Sequence, residues 1–127
     1  MKEFKKYTRK HNTSAIVFCN SVQSARAVEH ILSETGFKTA SLHGDIPPRY
    51  REKNFNRFKK MEEGTKVLVA TDLASRGLDI HQVSHIINFD FPKTTSDYLH
   101  RAGRAGRAGR PGYVLSMYRQ RDMPLLQ

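Results

Sequence analysis

Lys66-Val-Leu-Val-Ala-Thr-Asp72 is a short apolar run closed by two small polar residues. Its hydrophobic residues are consecutive, so both faces of the strand it predicts are covered, as in a parallel sheet with helices on either side. Ser14-Ala-Ile-Val-Phe-Cys19 repeats the pattern and is stopped by Asn20-Ser21. Between the two lie segments with helical spacing. Strands alternating with helices imply βαβ units, and right-handed crossovers then give an α/β, doubly wound, mostly parallel sheet with helices on both faces.

Working outward, Val22, Ala25, Val28, Ile31 and Leu32 form a helical stripe, with Ser21 as N-cap and Gly36 after the last turn. Phe37–Leu42 reads as the second strand, broken by His43-Gly44-Asp45. Pro47-Pro48 suits a helix start, because proline at the first position forfeits no intrahelical bond. Phe55, Phe58 and Met61 mark that helix's buried stripe and Gly64 its end. Val83–Phe89 is a fourth strand, Thr94 or Thr95 caps a short helix through Tyr98 and Leu99, and Gly112–Tyr118 is a fifth strand. Residues 1–13 read as a basic extension or linker, and 14–127 as one domain whose last helix, begun near Asp122, is cut short.

A hydrophobic content of 38% suffices for one packed core and is too high for a disordered chain. No run of 18 apolar residues is present, so no membrane helix is expected. Cys19 is the sole cysteine, which rules out an internal disulfide and suits an intracellular setting whose compartment is unresolved. Its apolar neighbours predict an ordinary buried thiol. The net charge of +10 favours a polyanionic partner, nucleic acid being the commonest. The excess is not concentrated in the arginine-rich end: residues 1–60 carry 13 Lys and Arg against 5 Asp and Glu, and residues 61–127 carry 9 against 7.

Parallel strands bring their carboxyl ends to one edge, where open α/β sheets bind ligands. That edge gathers Asn20-Ser21, His43-Gly44-Asp45, Thr71-Asp72 and Asp90, residue types suited to phosphate contacts. Each loop alone is an ordinary polar turn; together, on a basic domain, they point to a binding edge. No G-x-x-x-x-G-K-[ST] loop occurs in the sequence, and no G-x-G-x-x-G follows a strand. The six histidines show no metal-ligand spacing beside a carboxylate, so no metal site is expected. Ser21 and Ser75 lack a nucleophile motif.

His100-Arg-Ala-Gly-Arg-Ala-Gly-Arg-Ala-Gly-Arg-Pro-Gly112 repeats arginine and glycine every third residue. The period does not continue, which excludes collagen. Three glycines at about 1 kcal/mol each also argue against a continuous helix, so the helix from Thr95 is expected to end near Gly103 to Gly106.

Ile16–Ser21 (IVFCNS), His43–Asp45 (HGD), Ala70–Ile80 (ATDLASRGLDI), His85–Pro92 (HIINFDFP) and His100–Arg107 (HRAGRAGR) resemble, in order, motifs of the C-terminal domain of DEAD-box ATP-dependent RNA helicases. The resemblance spans about Ser14 to Tyr118 and implies a second RecA-like domain. It implies that Arg104 and Arg107 reach the γ-phosphate of ATP, that Gly77 and Asp79 contact the nucleotide, and that His100 and Arg101 support the interdomain contact. Asn20, Gly44, Arg51 and Thr71 match positions that hold the RNA backbone. ATP with Mg2+ would be bound mainly by an N-terminal RecA-like domain that this sequence does not contain. A monomer is the expected state of the chain alone, with no ATPase activity of its own. Two other readings stand beside it: an RNA-binding adaptor that kept the fold, and a DNA helicase of the same superfamily.

Two departures from the family pattern matter. Pro48 takes a glutamine position, removing one RNA-facing hydrogen bond, and Ala102 replaces a branched apolar residue. From spacing alone, Arg51 sits with Arg49, Lys53 and Arg57 on a solvated basic helix face, and Asp72 caps a turn.

Overall fold

The computed structural model describes residues 14–76, 83–105 and 112–117. The extension at 1–13, the end of the fifth strand at Tyr118 and the last helix lie outside them, as do Gly77, Asp79, Arg107 and Arg110.

Among the described residues, five parallel strands form one sheet: β1 (Ala15–Cys19), β2 (Thr39–Leu42), β3 (Val67–Thr71), β4 (His85–Asn88) and β5 (Tyr113–Ser116), in the order β2-β3-β1-β4-β5. The register pairs Ile16 with Leu68 on one side and with Ile86 on the other. The central strands β1 and β3 are buried along their whole length, as their unbroken apolar runs require.

Alternate side chains feed two cores. Ile16, Phe18, Leu68, Ala70 and Ile86 face Phe55 and Phe58 of α2 (Pro48–Lys59). Ala15, Val17, Cys19, Val67 and Val69 face Ala25, Val28 and Leu32 of α1 (Val22–Glu34). The central strands are therefore covered on both sides, the expected doubly wound arrangement, whereas β5 is largely exposed among the described residues. Two further helices, α3 (Asp72–Ser75) and α4 (Thr95–Ala102), follow β3 and β4.

Helix ends follow local chemistry. Ser21 Oγ accepts from Ser24 N at 3.1 Å, capping α1. At its other end Gly36 has φ 86°, with Gly36 N bonded to Ser33 O and Phe37 N to Leu32 O. Those two hydrogen bonds form the Schellman stop, which favours glycine because the left-handed region crowds any Cβ. Pro48 is the first residue of α2, with Pro47 before it. Thr94 Oγ1 accepts from Asp97 N at 3.0 Å, capping α4, which ends at Gly103.

Several expected boundaries shift, among them β5, which covers Tyr113–Ser116 and leaves Gly112 and Met117 of the expected run outside the strand. α2 stops at Lys59, and Met61 leaves the helix in a left-handed conformation (φ 52°) before a 3-10 turn over Glu62–Gly64. Met61 is thus half-buried outside the stripe, and Gly64 closes the turn instead of the helix. β2 starts at Thr39, because the Schellman stop occupies Gly36 and Phe37. β4 is His85–Asn88, shorter than its apolar run, since Val83 forms a separate bridge to Ala105.

β2 is an edge strand, and α2 covers its backbone. Asn54 Nδ2 donates to Ser41 O at 2.9 Å, and Arg57 Nη2 donates to Thr39 O at 3.1 Å.

Candidate functional site

The carboxyl ends of the strands meet in an open cleft of about 350 Å3. Asn20, Gly44, Arg51 and Thr71 all line it, although they come from four separate segments of the chain. Arg76 and Lys93 add positive charge to its wall, and Asp72 and Asp97 add negative charge.

Each loop is held in place from behind. Glu29 Oε1 accepts from Ser41 Oγ at 2.7 Å and lies 2.9 Å from Nε2 of the buried His43. His43 Nδ1 accepts from Asp45 N at 3.3 Å, which leaves the ring proton on Nε2, directed at Glu29. Arg26 pairs with Asp45 at 2.6 Å. α1 thereby anchors the loop after β2, and Gly44 is left exposed at its tip. Arg51 reaches back from α2: its Nε donates to Ile46 O at 2.7 Å and its Nη2 to Gly44 O at 3.4 Å. It is half-buried against the loop, unlike the solvated face that spacing alone gives. Thr71 is nearly buried at the N-cap of α3 and makes no side-chain cap bond.

Beneath the cleft sits Arg101, which is 1% exposed. Its Nε and Nη2 donate to Asp72 Oδ1 and Oδ2 at 2.9 and 2.6 Å. Nη2 also donates to Asn20 Oδ1 at 2.6 Å, and Nη1 to Asn88 Oδ1 at 3.3 Å and Asp90 O at 2.9 Å. A guanidinium has five N–H groups, and all five are used. The guanidinium carbon also stands 5.2 Å from the centre of the Phe18 ring. The loops after β1, β3 and β4 are thus joined through one side chain. Asn20 completes the link: its N donates to Asp90 Oδ2 at 2.8 Å and its Nδ2 to Phe91 O at 3.0 Å.

Sequence reasoning missed Asp72, Asn88 and Asp90 as parts of this network. A signal existed in Asn88, a polar residue inside the apolar run Ile86–Phe89, because a fully buried amide needs partners.

A smaller hollow of about 170 Å3 adjoins the cleft and shares Asp72, Arg76 and Asp97 with it. His100, Arg101 and Arg104 contribute to it. His100 is exposed on α4, and Arg101 faces inward. Arg104 follows the last turn of α4: its N bonds Arg101 O, and its O accepts from Val83 N at 3.1 Å. The bridge between Val83 and Ala105 therefore fixes the backbone that carries Arg104.

Cys19 is buried in the core on the α1 side of the sheet. Burial, and then the negative charge of Asp90, push its pKa up to about 12, so it remains a protonated core thiol. No helix among the described residues is long and apolar enough to cross a membrane.

Comparison with known proteins places this geometry. The helicase conserved C-terminal domain family matches residues 1–109. DEAD-box ATP-dependent RNA helicase 39 of Arabidopsis thaliana is 46% identical over 113 residues, covering 89% of this chain and 18% of that protein. ATP-dependent RNA helicase dbp8 of Emericella nidulans is 46% identical over 113 residues, 89% of this chain and 21% of that protein. This chain thus spans about a fifth of the length of these curated relatives. Among solved structures, a DEAD box protein from the hyperthermophile Methanococcus jannaschii superposes with a TM-score of 0.81 at 31% identity, covering 98% of this chain and 34% of that one. The E. coli DEAD-box protein SrmB, crystallised with regulator of ribonuclease activity A, gives 0.80 at 39% identity, covering 90% and 66%. This chain belongs to the helicase conserved C-terminal domain family, as a RecA-like domain of the DEAD-box RNA helicase type.

Proposed function

We propose that this chain is the C-terminal motor domain of an ATP-dependent RNA helicase, with RNA at the carboxyl-edge cleft and ATP at the hollow beside Arg104. The observation that carries the reading is the convergence of Asn20, Gly44, Arg51 and Thr71 on one cleft, with Arg104 in an adjoining hollow that shares Asp72. Gly44 adds support. A Cβ built there meets only Val22 Cγ2, at an ordinary 3.6 Å, and its φ is not left-handed. The fold does not require glycine at this tip, whereas close approach of a phosphate backbone does. Contacts of this kind are independent of base sequence.

The hollow, at about 170 Å3, falls below the roughly 300–1,000 Å3 of complete small-molecule sites. The guanidinium groups of Arg76 and Arg104 on its wall suit phosphate oxygens, so this chain fits as one wall of a nucleotide site. The other wall, with Mg2+, would belong to an N-terminal RecA-like domain. Arg104, and Arg107 beyond the described residues, would then stabilise charge on the transferring phosphoryl group, a role worth roughly 10³–10⁵ in rate. Gly77 and Asp79, also outside the described residues, would contact the nucleotide. Arg101 would act indirectly, by holding Asp72 and Asn20 between the two surfaces. His100, exposed beside Arg104, would meet the partner domain.

The test is RNA-stimulated ATP hydrolysis by the full-length protein carrying Arg104→Ala or Arg107→Ala. Hydrolysis is expected to collapse while RNA binding persists. Normal turnover in both variants would sink the arginine-finger assignment. Stimulation by DNA strands equal to that by RNA would replace the RNA reading with a DNA helicase.

A further inference from the structure

Lys93 lines the carboxyl-edge cleft, yet it has had no role in the site so far. It follows Pro92, which is sealed in the interior, and Phe91, whose O accepts from Asn20 Nδ2 at 3.0 Å. The backbone that carries Lys93 is therefore fixed, while its side chain is exposed.

The other charges of the cleft are engaged. Arg51 donates to Ile46 O and Gly44 O. Arg76 lies 3.9 Å from Asp97, and Asp72 is held by Arg101. Within the described residues, Lys93 is the charged group of the cleft that makes no ion pair or hydrogen bond. Its place does not favour it locally either. It stands just before Thr94, the N-cap of α4, where the helix dipole is positive and a cation is disfavoured. An exposed ammonium kept at that point, in a cleft suited to phosphates, has its natural partner outside the chain.

The order of the strands says where that partner lies. Along the carboxyl edge, in the order β2-β3-β1-β4, come Gly44 with Arg51 bonded to it, Thr71, Asn20 and Lys93. Four strand ends about 4.8 Å apart span roughly 14 Å. We propose that Lys93 binds a backbone phosphate of the RNA at the β4 end of this row, so that the strand crosses the sheet edge from Arg51 to Lys93. A lysine grips phosphate as a point charge, and such a contact is independent of base sequence. The inference rests on the RNA reading above and gives the bound strand its line across the domain.

The test is the salt dependence of binding between the 127-residue chain and a fluorescently labelled oligouridylate of about ten nucleotides, within the range one such domain covers. Lys93→Gln is expected to make the log–log slope shallower by about 0.7, one phosphate contact on a single strand. The advantage of wild type over this variant is thus expected to shrink roughly threefold from about 50 to about 200 mM salt. Lys93→Arg is expected to keep the wild-type slope. Neither variant is expected to lower the melting temperature, since the side chain has no partner to lose among the described residues. Lys60→Gln, an exposed position at the far end of α2, is expected to bind as wild type. Arg51→Ala combined with Lys93→Gln is expected to lose about 1.4 in slope, because the two cations hold separate phosphates. Unchanged affinity and slope in Lys93→Gln, with Arg51→Ala impaired, overturns this inference alone. An equal loss in Lys60→Gln reduces the effect to net charge and overturns it as well. A double variant no shallower than either single one puts both cations on one phosphate and overturns the path across the edge. Failure of wild type to bind the strand overturns the RNA reading itself.

Discussion

Arg101 and Asp72, 29 residues apart in sequence, form a two-point ion pair beneath the carboxyl edge of the sheet, at 2.9 and 2.6 Å. Asp72 opens α3 directly after β3, and Arg101 comes from the last turn of α4. Removing one member of a fully buried pair typically costs about 3–5 kcal/mol, and with Arg101 sealed but Asp72 a quarter exposed the loss here falls towards the lower end of that range. Arg101→Ala is therefore expected to lower unfolding stability by that order. Arg101→Lys is expected to recover little, because an ammonium has three donors and no planar fork. Denaturant midpoints decide it, and a loss for Arg101→Ala within the error of wild type would contradict the network.

Gly44 separates binding from folding. Gly44→Ala is expected to melt within a degree or two of wild type, since the added Cβ meets only Val22 at 3.6 Å. The same variant is expected to bind RNA several-fold more weakly. A large fall in melting temperature would show that the loop itself needs glycine.

Salt dependence reads the backbone contacts. RNA binding by the chain is expected to be weak, with a log–log salt slope of roughly −2 to −3.5 for about three to five phosphates. Arg51→Ala is expected to make that slope shallower by about 0.7, one phosphate contact on a single strand. A slope near zero in wild type would remove the electrostatic basis for the cleft.

Cys19 tests burial directly. With its pKa raised to about 12, the native thiol holds its proton where an unfolded thiol, near 8.5, begins to lose it. The raised value favours the native state below the unfolded pKa, and that contribution fades as pH climbs from about 8.5 towards 12. At pH 8 a thiol reagent is expected to label unfolded protein promptly and native protein only as fast as it opens. Rapid labelling under native conditions would contradict the placement of β1.

His85 gives a second, opposite titration. Burial lowers its pKa below the usual 6.5, and its ring stacks on Tyr113 at 5.1 Å, joining β4 to β5. The unfolded chain binds this proton more readily, so stability is full above about pH 6.5 and declines on acidification below it. His85→Gln is expected to flatten that decline in melting curves between pH 7.5 and 5. An identical pH profile for the two proteins would exclude His85 as its source.

What the sequence made legible divides by distance along the chain. The Ser21 cap, the Gly36 stop and the Pro48 start each depend on a few neighbouring residues, and each lies where local chemistry puts it. The paired cores followed from consecutive apolar residues in β1 and β3. The end of α2 was not legible, because Met61 continues the helical spacing while its backbone turns left-handed. The shortened β4 was hidden too, since Val83 is apolar like its neighbours but bridges to Ala105, 22 residues onward. The Arg101 network was the least visible. Its partners lie 11 to 81 residues away, and no periodicity connects them. From the arginine run, Arg101 and Arg104 are indistinguishable repeats; in the fold one is sealed inside and the other lines a hollow.

The side chains of Asn54 and Arg57 on the β2 backbone have a consequence for how these molecules behave in a crowd. A bare outer strand templates others, because its open carbonyls invite a neighbour's amides. Here two of those carbonyls, on Thr39 and Ser41, are already taken by donors from the molecule's own helix. A second molecule approaching this border must first displace both. The same helix that buries Phe55 and Phe58 inside thus occupies two of the backbone acceptors of β2 outside. Replacing Asn54 and Arg57 with leucine would convert that border into a seed for fibrils without changing a single buried aromatic ring.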